Sequence, residues 1–230
     1  MIPPTSIDGS DITGATIDGT DVTEITVDGD VVFSAGPKVI DDFETGNLSK
    51  WNTNGHAGGT SNFVVNTTNP QEGSFSLETQ GSGEQNLYID RSASQPTPSF
   101  GETHEFYVMD KGAGIFFVQW LSDKTESQFD LPTGHWFRID KGTWEIGVTS
   151  SNDFRASNQI GSPLLQNQWY EIKVSYINNN SDMFVEVFDD NGNFDSSETV
   201  SVPNQGFGTS CNLHTRVSAL ARFDIWTIDR

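Results

Sequence analysis

The stretch Trp169-Tyr170-Glu171-Ile172-Lys173-Val174-Ser175-Tyr176-Ile177, followed by Asn178-Asn179-Asn180-Ser181 and then Met183-Phe184-Val185-Glu186-Val187-Phe188, decides the fold class. Tyr170, Ile172, Val174 and Tyr176 alternate with Glu171, Lys173 and Ser175, the period of two that places apolar side chains on one face of a strand. The asparagine run turns the chain into the second segment, and Asp190-Asn191-Gly192 turns it once more. This is a strand, turn, strand, turn signature.

Working outward, strand-like runs bounded by Gly, Asn, Ser, Thr and Asp recur: Asn62 to Val65, Ser74 to Glu78, Asn86 to Asp90, Glu105 to Met109, Ile115 to Leu121, His135 to Ile139, Trp144 to Val148 and Leu220 to Ile228. Gly112-Ala113-Gly114 reads as a hairpin turn between two of them. No segment carries a helical period. The expectation is an all-β chain whose residues 37–230 form a two-sheet antiparallel β-sandwich, a jelly roll.

Residues 1–36 differ. They carry a ten-residue repeat, Ile7-Asp8-Gly9-Ser10, Ile17-Asp18-Gly19-Thr20 and Val27-Asp28-Gly29-Asp30, with an Asp-Gly turn signal beside β-branched residues in each unit. Three such short units bury little by themselves, so the segment reads as an attachment device that packs on a partner chain or on the main domain. The spacing matches neither a twelve-residue calcium loop nor a glycine-rich nonapeptide array. Ser34-Ala35-Gly36-Pro37 reads as the linker.

The 230 residues carry 32 acidic and 12 basic side chains, a net charge of −20, with the acids spread over the whole length. Such a surface repels phosphate backbones and anionic membranes, which argues against nucleic-acid partners. Twenty Asp against six Lys fits a protein adapted to high salt. The one cysteine, Cys211, forms no intramolecular disulfide. The start Ile2-Pro3-Pro4-Thr5-Ser6 has neither the basic stretch nor the apolar run of a signal peptide, and no segment reaches the ~20 apolar residues of a membrane span, so membrane insertion is not expected.

Several stretches resemble concanavalin A-like and laminin G-like jelly rolls: Asp41-Asp42-Phe43-Glu44-Thr45-Gly46-Asn47-Leu48-Ser49-Lys50-Trp51, Glu72-Gly73-Ser74-Phe75-Ser76-Leu77, Trp169-Tyr170-Glu171-Ile172, and the closing Ala221-Arg222-Phe223-Asp224-Ile225-Trp226. The resemblance implies a structural calcium shared between the first and last strands, at Glu44 with Asp42 and at Asp224. The other reading of these acids is as solvated strand-end charges. The end of the repeat, Val27-Asp28-Gly29-Asp30-Val31-Val32-Phe33, is similar to the starts of tail and capsid-surface proteins of tailed viruses.

With the acidic surface, that likeness implies a virion surface protein of a halophilic archaeal virus, such as a capsid spike, turret or tail fibre. Residues 1–36 would join it to other virion proteins in a homo-oligomer, and the sandwich would project outward to meet host-surface glycans. A cellular carbohydrate-binding or adhesion module, extracellular or on the cell surface, is the alternative; a glycan-degrading enzyme is the third. The Glu-x-Asp-x-(x)-Glu strand of retaining sandwich hydrolases is missing, since Glu186 is followed by Val187, Phe188 and Asp189. His56, His104, His135 and His214 lack zinc-site spacing. A non-enzymatic role is therefore expected. Trp169 and Trp226 read as core, whereas Trp51, Trp120, Trp136 and Trp144 are less determined: they read either as further core or as candidates for stacking on a sugar face.

Overall fold

The computed structural model describes residues 37–52, 63–81, 85–89, 98, 100–122, 134–150, 153–202 and 208–229, together with the backbone of six short strands between residues 6 and 34. His56 and the Asp-Gly pairs at 8–9, 18–19 and 28–29 lie outside the described residues. Contacts divide the chain into Met1–Lys38 with Asp229, and Val39–Ile228. Every regular element among the described residues is a β-strand, and among them there is no helix long and apolar enough to cross a membrane.

In the first unit, β1 (Ser6–Ile7) pairs with β2 (Ser10–Asp11), β3 (Ala15–Ile17) with β4 (Thr20–Val22), and β5 (Glu24–Val27) with β6 (Asp30–Ser34), all antiparallel. The second unit holds β7 (Lys38–Asp41), β8 (Trp51–Asn52), β9 (Phe63–Asn66), β10 (Ser76–Thr79), β11 (Gln85–Ile89), β12 (Thr103–Ser122), β13 (Gly134–Asp140), β14 (Thr143–Ser150), β15 (Asp153–Pro163), β16 (Trp169–Ile177), β17 (Asp182–Asp189), β18 (Phe194–Ser201) and β19 (Ser210–Asp229).

Two strands of 20 residues organise this unit. The first part of β12 pairs with β16 through His104↔Val174 to Met109↔Trp169, and its last part pairs with β13 through Ile115↔Asp140 to Trp120↔His135. Likewise β19 pairs with β11 around Leu213 and with β10 at Phe223. The two strands also pair with each other and bend together, so that one set of strands becomes two layers. The bend falls at Gly112 and Gly114 in β12 and at Val217 and Ser218 in β19, all with positive φ. Gly112-Ala113-Gly114 is thus a bend inside a continuous strand and not the expected hairpin turn. The reason is steric: a Cβ on Gly114 would lie 2.3 Å from the Ala219 nitrogen, a backbone approach only glycine permits.

Between the layers lies an aromatic core. Phe106 of β12 meets Phe137 of β13 at 5.6 Å and Phe223 of β19 at 5.8 Å between ring centroids. Trp226 packs on Phe106, and Phe137 stacks on Trp144. The alternation read from β16 and β17 is the burial pattern observed, with Ile172, Val174, Met183, Val185 and Val187 in the core. The protein is an all-β antiparallel sandwich.

Candidate functional site

At the end of β7 the chain turns through Asp42–Gly46, with Phe43 held in a left-handed conformation at φ 58°. This turn faces the segment Gln71–Phe75 and the residue Ile225 of β19. Val39, Asp42, Glu44, Glu72, Gly73 and Ile225 line a pocket of about 270 Å³ between them. Three carboxylates and two aliphatic side chains share this wall, and no basic side chain does.

Two carboxylates hold the Gln71–Phe75 segment in place, one from the turn after β7 and one from β19. Glu44 Oε1 accepts the N–H groups of Ser74 and Phe75, each at 2.9 Å. Asp224 Oδ2, beneath the segment, accepts Gln71 N–H at 2.8 Å and Glu72 N–H at 3.4 Å. Gly73 permits the approach, since a Cβ there would sit 2.4 Å from Glu44 Oε1. Burial raises the Asp224 carboxyl to about 6, against the pull of the Gln71, Glu72 and Ile225 N–H groups, and the Glu44 carboxylate adds to the rise. Asp42 braces its own loop, its Oδ1 accepting Glu44 N–H at 3.2 Å.

The structure thus brings Asp42, Glu44 and Asp224 to one place, but their arrangement does not fit a calcium ion. Glu44 Oε1 and Asp224 Oδ2 are directed at backbone N–H groups, and the described residues contain no group of three His, Cys, Asp or Glu side chains able to hold a metal. Here backbone N–H donors and the raised pKa of Asp224 meet part of the repulsion that a cation was expected to relieve. Glu72 was not singled out in the sequence. It comes to the site only because Asp224, 152 residues away, anchors its backbone.

A test of this strap follows. Asp224→Ala removes the acceptor of two N–H groups and is expected to cost about 1–3 kcal/mol. It should also raise amide exchange at Gln71 and Glu72 above the rates in the β16–β17 ladder. Unchanged exchange at those amides would show that the segment is held by something else.

Of the two readings of the undetermined tryptophans, the structure takes the buried one. Trp51, Trp120, Trp136 and Trp144 are all buried, three of them fully, so none presents a face to a sugar. Trp51 stacks on Phe43 and donates to Asp41 Oδ2 at 2.5 Å, Trp120 donates to the Tyr176 hydroxyl at 3.0 Å, and Trp144 lies against the Gly161 backbone. All three belong to the core between the layers.

Trp136 is separate. It stands on the opposite face of β13, where Arg138 lies 5.6 Å over both its ring and that of Phe117 and pairs with Glu145 at 2.6 Å. His214 packs edge-on against Phe117 on this face. The result is a buried polar-aromatic layer on one side of β11, β19, β12, β13 and β14. The expected core tryptophans Trp169 and Trp226 are buried, the first donating to Asn69 O at 3.2 Å and the second to His104 Nδ1 at 3.2 Å.

Among solved structures the sandwich resembles the legume lectin-like domain from Entamoeba histolytica, with a TM-score of 0.52 and 10% identity over 74% of this chain and 91% of that one. The exoplasmic/lumenal domain of VIP36, in its Ca2+/Man3GlcNAc-bound form, matches with a TM-score of 0.50 and 10% identity over 80% and 84% of the two chains. A protein of unknown function from Shewanella oneidensis matches with a TM-score of 0.50 and 10% identity over 71% and 72%. At such identities the likeness is one of fold, a lectin-like β-sandwich. No protein-family model matches the chain, and no curated protein does.

Proposed function

We propose that the sandwich is a non-enzymatic carbohydrate-binding module that receives one sugar ring in the pocket between the Asp42–Gly46 turn, Gln71–Phe75 and Ile225. The observation that carries this reading is the lining itself: Asp42, Glu44 and Glu72 supply acceptors for hydroxyl groups, and Val39 and Ile225 supply apolar contact for C–H edges. A volume of about 270 Å³ lies at the low end for ligand pockets and suits a single ring. The lectin-like fold supports the class of ligand, and one structure of that fold is bound to a mannose-containing glycan.

Charge selects within that class. A carboxylate on the ligand about 4 Å from one of the lining acids would be repelled by roughly 1 kcal/mol even at the dielectric constant of water. Three such acids disfavour uronic and sialic acids and favour neutral or amino-bearing sugars.

The test is a titration of the full chain against neutral, amino-bearing and acidic glycans by calorimetry. Glu72→Gln and Asp42→Asn should each weaken binding at least tenfold, because a charge-assisted hydrogen bond is worth about 1.5–3 kcal/mol. No heat with any neutral or amino-bearing glycan, or unchanged affinity in both variants, would remove the pocket from the account.

A second reading concerns the whole chain: a virion surface protein with residues 1–36 as the anchor and the sandwich as the projecting, glycan-binding part. It is supported by the repeat and by the division of contacts near Lys38. Immunogold labelling of purified particles with an antibody to the sandwich tests it, and label confined to cell surfaces favours a cellular adhesion module instead.

A further inference from the structure

We infer that the N-terminal hairpins are assembly elements completed by further copies of this chain. The three hairpins are separate two-stranded sheets, and no ladder among the described residues joins one hairpin to the next. Among the described residues each of their six strands therefore keeps one backbone edge outside the hairpin ladders, a row of N–H and C=O groups open to a partner. Strands of 2–5 residues in isolated pairs are marginal in water.

The identity of the partner follows from spacing. The pairs Ile7↔Ser10, Ile17↔Thr20 and Val27↔Asp30 recur at intervals of ten residues, so the open edges recur at the same interval. A chain that matches all three at once must carry the same interval, and a second copy does so by construction. Repeated, like-for-like contacts of this kind close into symmetric oligomers.

Charge then makes the proposal distinctive. The first 36 residues hold seven acidic side chains and no Lys or Arg, so copies repel one another until salt screens them. The Debye length falls from about 10 Å at 0.1 M to about 3 Å at 1 M, and association should strengthen over that range. A foreign basic partner would show the opposite response.

The experiment is sedimentation of the full chain in 0.1 M and 2 M NaCl, beside the double variant Ile17→Pro with Val27→Pro. Proline removes an N–H and blocks strand pairing at the hairpins while leaving the sandwich sequence intact. The expected result is an oligomer in 2 M salt that shifts toward monomer in 0.1 M, and a variant that stays monomeric in both with the melting temperature of the sandwich unchanged. A wild-type monomer at 2 M salt, an oligomer that weakens as salt rises, or a variant as oligomeric as the wild type would each overturn the inference. Sugar titrations read a different surface, so failure here leaves the pocket proposal standing.

Discussion

Acidification from pH 6.5 to 4.5 is expected to cost the sandwich about 5 kcal/mol through two histidines alone. His104 and His135 are fully buried on β12 and β13, and burial pushes both down to about 3, with His135 adding to the shift of His104. Each is held neutral by its neighbours. Trp226 donates to His104 Nδ1, and the Tyr176 hydroxyl, which accepts a hydrogen bond from Trp120, is hydrogen-bonded to His135 Nδ1. The folded value lies below the unfolded one, so the unfolded chain binds more protons throughout the window. The stability is therefore whole above about 6.5 and is lost as pH falls toward 3.

At about 1.4 kcal/mol per unit for each group, two units and two groups give the figure above. Asp224 acts in the opposite sense: its raised carboxyl stabilises the fold in acid and loses that contribution as pH rises through about 6, which offsets part of the loss. Melting temperature followed from pH 7 to 4 in the wild type and in His104→Gln with His135→Gln tests the assignment. The variant's profile should be flatter than the wild type's, and parallel profiles would place the acid sensitivity elsewhere.

The second large effect belongs to Gly114. Gly114→Ala is expected to destabilise the sandwich by more than about 3 kcal/mol, because the new methyl would press on Ala219 N, Ala219 Cα and Val217 O, all backbone atoms that cannot step aside. Gly192, at φ 75° in the turn after β17, is the control. A Cβ there meets nothing within 4 Å, so Gly192→Ala should cost only the left-handed strain of about 1 kcal/mol. Equal losses in urea unfolding would mean that φ alone matters at Gly114 and that the joint bend of β12 and β19 is not tightly packed.

That bend also marks where sequence reasoning stopped. The ribbon from Tyr170 to Phe188 was legible because the asparagine turn joins two strands that each have one buried and one partly exposed face, and β16 follows the alternation read at Tyr170, Ile172 and Val174. Strand β18 was missed because it is an edge: its Phe194-Asp195-Ser196-Ser197-Glu198-Thr199-Val200-Ser201 buries little beyond Val200, so it shows no apolar period. Strand β15, at the other end of the seven-strand path, is equally polar in sequence. A glycine pair inside β12 read as a turn because sequence cannot distinguish a glycine needed for reversal from one needed for close approach.

The site divides in the same way. Asp42 and Glu44 stand beside a recognisable first strand, and Asp224 in a recognisable last one. The contribution of Glu72 depends on a contact across most of the chain length, which no local pattern reports. The tryptophans failed as candidates for a related reason: with aromatic residues this numerous, the core takes them first, and only their position on the two faces of β13 and β14 separates Trp136 from Trp144.

The central claim is that a sugar binds where β7, Gln71–Phe75 and β19 meet. Amide chemical-shift mapping of the isotope-labelled chain, titrated with the neutral or amino-bearing glycan that binds best in the calorimetric panel, tests it most directly. The account predicts that the largest shifts fall on Asp42 to Gly46, Glu72 to Phe75 and Ile225, saturating together with a single affinity. Shifts centred instead on Phe117, Trp136, Arg138 and His214, or no saturable shifts at all, would contradict it.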